Sequence, residues 1–415
     1  MRIGIFTESY QPLINGVSTS VRTLMGELER AGHSVFVFTS KFPDYTDDRT
    51  GVFRFPSVNS LVEPDYVLPI PISPRIMAEI PKLRLDIVHS HSPFMLGVMA
   101  QGVARRHNIP IISTNHTLYT EYTHYMPILP TRVTRAMAVS WMRRYYNECD
   151  YLTVPSLLTR NQLVDGCGIT TPISIVPTGI PAPPYVLVSP AVTKQELGIP
   201  FDARILLYVG RLAPEKNLSV LLRAFQMLCL REHSSYLVIA GSGKSEQLLR
   251  REAQRLGIER RVVFTGFLPR TKLDPLYRAA DVFLFPSKTE TQGLAVGEAL
   301  ASGTPCVVVN EGGAPESIRD GVDGYLILDS ASEMAERAIE LLSDSKLYQT
   351  MSENARHRAN GLTPEAVAQT MMRLYGQLIE RFGNNLSSAR PPKEFIVTSD
   401  GDAGKTPGYE AHRDI

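Results

Sequence analysis

The chain has 415 residues, enough for two or three domains with cores of their own. Its 43 Lys and Arg against 42 Asp and Glu leave a net charge of +1, so no global field draws it to nucleic acid, and attraction to an anionic surface has to be local. The four cysteines (Cys149, Cys167, Cys229, Cys306) show neither a Cys-x-x-Cys pair nor a metal spacing, which fits buried thiols in a reducing compartment. No apolar run reaches the ~20 residues of a membrane span, and the opening residues lack the apolar core of a signal peptide. The expectation is a cytoplasmic protein, soluble or held at a surface.

Apolar runs at 2–8 and 34–40 read as strands around a helix at 16–32 that ends on glycine, a βαβ opening. The loop Ser9-Tyr-Gln-Pro-Leu-Ile-Asn-Gly16 brings Gly16 to the helix start, where bare backbone can approach a phosphate. It lacks the full Gly-x-Gly-x-x-Gly pattern, so a dinucleotide site is not expected. Strands at 51–56, 86–92, 109–115, 151–155 and 173–177 follow, alternating with helices at 74–85, 94–107, 132–148 and 158–166. His89 and His91 alternate on one strand and are expected on opposite faces, which would make them a poor metal pair. His116 ends the next strand in Thr114-Asn-His-Thr117.

Helix 132–148 carries Arg132, Arg135, Arg143 and Arg144, no acid before Glu148, and the only tryptophan, Trp141. Val133, Met137 and Trp141 recur at helical spacing, and a basic, aromatic-bearing helix of this kind can lie in a headgroup region. The alternative is a helix that packs its apolar stripe on its own sheet.

Segment 179–190 carries four prolines and reads as a linker. A second alternation has strands at 204–209, 236–240, 262–267, 281–285, 306–309 and 325–328, so the fold class is α/β with two doubly wound Rossmann-like domains facing a central cleft. The expected division is a domain at 1–180, a linker at 181–192, a domain at 193–363 and a helix at 364–382. Residues 383–415 are rich in Asn, Ser, Pro, Gly and Asp and read as a disordered tail.

The most informative stretch of the second domain runs from Ser287 to Pro305, between two apolar strands. Glu290 sits in its loop and Glu298 in its helix, with Gly293 and Leu294 at the helix start, where unpaired N–H groups suit an anion such as a diphosphate. Two carboxylates beside a diphosphate would repel it, so their expected partners are ribose and sugar hydroxyls. Cations are available at Arg211 and Lys216 in Gly210-Arg-Leu-Ala-Pro-Glu-Lys216, and Gly241-Ser-Gly243 follows another strand end.

Glu290, Glu298 and the Gly210 to Lys216 segment together resemble the donor-site signature of retaining GT-B glycosyltransferases of family four, over about residues 1–382. The resemblance implies that Arg211 and Lys216 neutralise the diphosphate of a nucleotide sugar, that Glu298 holds the ribose and that Glu290 orients the transferred sugar. It further implies backbone N–H groups from Gly16, Gly241, Gly243, Gly293 and Leu294, a return of the final helix to the first domain, and a hydrogen bond from His116 to a sugar hydroxyl or to the acceptor. Neither cofactor nor metal is expected: the one Asp-x-Asp match, Asp400-Gly-Asp402, lies in the tail. Within the family, Phe6-Thr-Glu-Ser-Tyr-Gln-Pro-Leu-Ile-Asn-Gly-Val17, Asn115-His-Thr-Leu-Tyr-Thr-Glu-Tyr122 and Thr289-Glu-Thr-Gln-Gly293 are similar to bacterial diacylglycerol glucosyltransferases. That points to UDP-glucose as donor, a lipid acceptor and a place on the inner face of the cell membrane. Mannosyl or other hexosyl transfer to phosphatidylinositol or a soluble acceptor is a second reading, and a nucleotide-sugar epimerase a reading from another class.

Overall fold

Short apolar strands buried on both faces pair in parallel only if a crossover returns the chain each time, and the helices between them supply it. The computed structural model describes residues 1–60, 67–117, 131–181 and 188–384. In chain order the first part contains β1 (Arg2–Phe6), α1 (Gly16–Arg30), β2 (Ser34–Ser40), β3 (Val52–Phe55), β4 (Ser57–Asn59), β5 (Val67–Pro69), α2 (Pro74–Leu83), β6 (Ile87–Ser90), α3 (Met95–His107), β7 (Ile111–Thr114), α4 (Thr131–Asn147), β8 (Tyr151–Val154), α5 (Leu157–Asn161) and β9 (Ile173–Ile175). The second contains α6 (Pro190–Glu196), β10 (Arg204–Val209), α7 (Leu218–Leu228), β11 (Ser235–Ala240), α8 (Glu246–Arg255), β12 (Val262–Gly266), α9 (Arg270–Ala279), β13 (Val282–Phe285), α10 (Leu294–Ser302), β14 (Cys306–Val309), β15 (Gly324–Ile327), α11 (Ala331–Ser343), α12 (Ser345–Ala359) and α13 (Pro364–Asn384).

The first sheet runs β3-β2-β1-β6-β7-β8-β9 and the second β12-β11-β10-β13-β14-β15. Every neighbouring pair in both is parallel. Each order reverses once, between β1 and β6 and between β10 and β13, and such reversals open a crevice at the strands' carboxyl ends. The loops expected to carry function follow β1, β10 and β13.

Alternation along the strands divides the first core. Ile3 and Ile5 pack on one side with Val21 and Leu28 of α1, whereas Phe6, Phe38 and Val88 pack on the other with residues of α3 and α4. The final helix belongs to the first of these layers: Ala368, Met371, Leu374, Tyr375 and Leu378 of α13 are buried there. The chain thus returns from the second sheet to the first.

Some expectations need correction. The hairpin β4–β5, antiparallel, was not legible as strands. The helix expected at 158–166 is α5 followed by a π turn at Gln162–Gly166. Helix α6 begins inside the proline-rich segment because Ser189 caps it and Pro190 suits a first turn. Asp400, Asp402 and nearly all of the expected tail lie outside the described residues, as does 182–187 of the expected linker.

Candidate active site

Between the two sheets lies a cleft of about 1570 Å³, with the reversal points of both sheets on its walls. The domains touch around it. Thr291 Oγ1 donates to the His116 carbonyl (3.0 Å), and the Gln292 amide accepts from Thr178 N (2.8 Å) and donates to Thr178 O (3.2 Å). Gly16 and Leu294, the starts of α1 and α10, face each other; a Cβ on Gly16 would come within 3.6 Å of Leu294 Cδ1. Two helix N-termini therefore open onto one cleft, an arrangement suited to an anion.

Gly293 makes the α10 start possible. Its φ is +73°, and a Cβ there would lie 2.6 Å from Ala314 Cβ, so any other residue would be strained and would clash. The same loop carries Glu290, whose Oε1 accepts from Lys216 Nζ at 2.6 Å and from Ser287 Oγ at 3.1 Å. Lys216 is buried, and Glu290 remains open to the cleft. Arg211 also lines the cleft, half exposed, with Nη2 2.6 Å from Glu215 Oε1.

Other expected residues stand back from this wall. Glu298 does not line the cleft: it accepts from Tyr277 Oη (2.8 Å) and pairs with Arg270, and burial raises its pKa against the pull of that arginine. Gly241 and Gly243 lie behind the Arg211 loop. A Cβ on Gly241 would fall 1.9 Å from the Gly210 carbonyl, so this glycine serves the close approach of two loops.

His116 lines the cleft as the end member of a histidine cluster. His91 Nδ1 and His116 Nε2 are 2.9 Å apart, and the His89 and His91 rings lie 4.0 Å apart. That corrects the expectation of opposite faces: residues two apart along an extended strand share one face, and His91 follows directly on β6, so the two rings lie together. His89 bridges Tyr375 Oη and Thr114 Oγ1, each at 2.7 Å, tying α13 to the sheet beneath the cleft.

Burial lowers the His116 pKa to about 4. Burial and then the neighbouring His116 lower His89 to about 3, and burial followed by His89 and His116 keeps His91 well below its usual range. All three are neutral at pH 7. His91 Nε2 is buried without a partner. A proton there would be an unsatisfied donor, so it belongs on Nδ1, donating to His116 Nε2. His116 then carries its own proton on Nδ1, as a neutral hydrogen-bond donor.

Sequence reasoning missed Glu8 as a site residue. It lines the cleft, accepts from Leu96 N at the start of α3 (2.8 Å) and from Ser92 Oγ, and burial raises its pKa to about 7. Its signal was an acid at the end of the apolar run 2–8. Among the described residues, no group of three His, Cys, Asp or Glu is placed to hold a metal.

Helix α4 presents Val133, Met137 and Trp141 to solvent, at 45%, 56% and 44% exposure. The stripe therefore does not pack on its own sheet, although Met142, Tyr145 and Tyr146 do turn inward. Arg132, Arg135, Arg143 and Arg144 are exposed. Arg143 also donates to the Cys167 carbonyl (2.7 Å), and Arg144 lies 3.5 Å from Glu148. Trp141 Nε1 donates to Pro93 O (2.8 Å), which sets α4 beside the exposed Phe94, Met95 and Val98 of the α3 start. No described helix is long and apolar enough to cross a membrane.

Comparison with known proteins matches residues 14–182 to the family described as Glycosyltransferase Family 4 and residues 191–358 to Glycosyl transferases group 1. The alpha-monoglucosyldiacylglycerol synthase of Streptococcus pneumoniae is 33% identical over 386 residues, covering 88% of this chain and 86% of that protein. The enzyme of the same name from Acholeplasma laidlawii is 30% identical over 410 residues, covering 93% of this chain and all of the relative. Among solved structures, sucrose-phosphate synthase from Thermosynechococcus elongatus superposes with a TM-score of 0.73 at 23% identity, over 91% of this chain and 99% of that one. With both halves matched and relatives this similar over nearly their whole length, the chain belongs to the group 1, family 4 glycosyltransferases and has their GT-B fold.

Proposed function

We propose that the protein transfers glucose from UDP-glucose to 1,2-diacylglycerol at a membrane surface, with retention of the α configuration and without a metal ion. The observation that carries this reading is the make-up of the cleft. One end holds Arg211, the Lys216–Glu290 pair and the starts of α1 and α10, and the other opens among Phe94, Met95, Val98 and Trp141. The polar end suits a nucleoside diphosphate sugar, and the apolar mouth suits a lipid. The two similar synthases, by name, make a glucosyl diacylglycerol.

In this reading Lys216 and Arg211 stabilise the charge that grows on the leaving diphosphate, the work a metal ion does elsewhere. Glu290 orients sugar hydroxyls, and neutral His116 donates to a hydroxyl of sugar or acceptor without adding a charge. The exposed stripe of α4, flanked by four arginines, holds the cleft mouth against anionic headgroups, which contribute ~1 kcal/mol per cation. The enzyme thus works at the inner face of the membrane as a peripheral protein.

The test is a matrix of UDP-glucose, UDP-galactose and GDP-mannose against diacylglycerol and phosphatidylinositol in vesicles, with products identified by mass. Glucosyl diacylglycerol as the dominant product is expected. Preference for another donor or acceptor, or conversion of free donor without acceptor, would replace this reading.

A further inference from the structure

Beside the cleft mouth lies a slot of about 420 Å³ between α2 and α3. Cleft and slot share Pro71, Met95 and Val98 as common wall, which sets them side by side. Met77 and Ile80 of α2 face Val98, Met99 and Val103 of α3 along the slot, and its charged lining group, Arg106, sits beside His107 at the last turn of α3. Ile80 and Val103 form a buried floor, while Met77, Met95 and Val98 remain partly exposed.

We infer that this slot takes one acyl chain of the acceptor, an inference that rests on the lipid-acceptor reading above. Both long walls are helices, whose main-chain groups are paired internally. A peptide laid here would leave its own amides without partners, whereas a hydrocarbon chain needs none. Three of the lining residues are methionines, whose unbranched thioethers adapt to a chain of no fixed shape. Adjacency to the cleft sets the direction: the glycerol hydroxyl lies at the Glu290 end, and the chain runs outward past Met95 towards Arg106.

Gly102 provides the test. It lines the slot, and a Cβ there meets nothing within 4 Å, so Gly102→Leu fills the slot without disturbing the helix and raises helix propensity. Gly102 lies seven residues beyond Met95, or ~10 Å along α3. Dioleoylglycerol reaches that depth and dibutyrylglycerol does not. Each methylene excluded weakens binding about fourfold, so Gly102→Leu should raise KM for dioleoylglycerol in detergent micelles by roughly tenfold or more, with kcat unchanged. KM for dibutyrylglycerol should change less than twofold, and Gly102→Ala, which adds only a methyl group, should resemble the unaltered protein for both. An equal response of the two acceptors to Gly102→Leu would overturn the slot and leave the cleft assignment standing. Failure of the unaltered protein to glucosylate either diacylglycerol would overturn the lipid-acceptor reading, and the slot with it.

Discussion

Replacing Lys216 by alanine separates what the Lys216–Glu290 pair does for the fold from what the cation does for the reaction. The two groups meet at 2.6 Å, with the lysine side chain 8% exposed and the glutamate 25%. Near a protein surface, at an effective dielectric of about 20, two unit charges ~4 Å apart interact by ~4 kcal/mol. Measured losses for one preorganised donor at a developing oxyanion run at ~3 kcal/mol, so turnover with saturating donor should fall roughly a hundredfold or more. Stability should fall by only ~1–2 kcal/mol, because the stranded carboxylate stays wetted by the cleft. Lys216→Ala with Glu290→Ala should then recover most of that stability and none of the turnover. Urea unfolding and single-turnover kinetics on the three variants give both quantities. Near-normal turnover in either single variant, or turnover restored in the double variant, would refute the assignment of these residues to the donor.

Glu8, with its pKa raised from 4.5 to about 7, keeps its proton in the fold across a window where the unfolded chain has lost it. Stability contributed there is present at low pH and falls as pH rises from ~4.5 to ~7, by ~3 kcal/mol in total. Glu8→Gln should therefore gain stability relative to the unaltered protein between pH 4.5 and 8, and a pH-independent difference in urea midpoint would count against it. His89, His91 and His116 act in the opposite sense: their lowered values give stability that is complete above ~6.5 and lost as pH falls, at ~1.4 kcal/mol per pH unit for each. Unfolding curves between pH 7 and 5 should show net proton uptake that His89→Phe reduces by about one proton. Met137→Ser with Val133→Ser should lower sedimentation with anionic vesicles while leaving the unfolding midpoint within ~0.5 kcal/mol, since both side chains are exposed. Equal sedimentation would defeat the docking face. Arg143 is a poorer probe because it also holds the Cys167 carbonyl. Transfer should survive EDTA, and activity restored only by Mg²⁺ or Mn²⁺ would sink the metal-free reading.

The strands were legible because each is a short apolar run bounded by turn residues, and both sheets contain them within a residue or two of expectation. Gly293 and the Lys216 loop were legible because a strand end, a glycine and a helix start follow one another directly in the chain. The β4–β5 hairpin was not, since its strands are three residues each and too short for a period to emerge. Contacts between distant segments were also hidden. His91 meets His116 and Tyr375 meets His89 only because the first sheet and α13 bring them together, and Glu8 acquires its raised pKa from burial against α3. Glu298 shows the reverse case. Its position in the sequence suggested the cleft, but Arg270 and Tyr277 on α9 engage its carboxylate.

The measurement that tests the central claim most directly is the anomeric configuration of the glycolipid made from UDP-glucose and diacylglycerol, read from the proton coupling at the anomeric carbon. The account predicts an α-linked glucosyl diacylglycerol whose formation is lost in Lys216→Ala and Glu290→Ala. A β-linked product, or an α-linked product formed equally well by those variants, would contradict it.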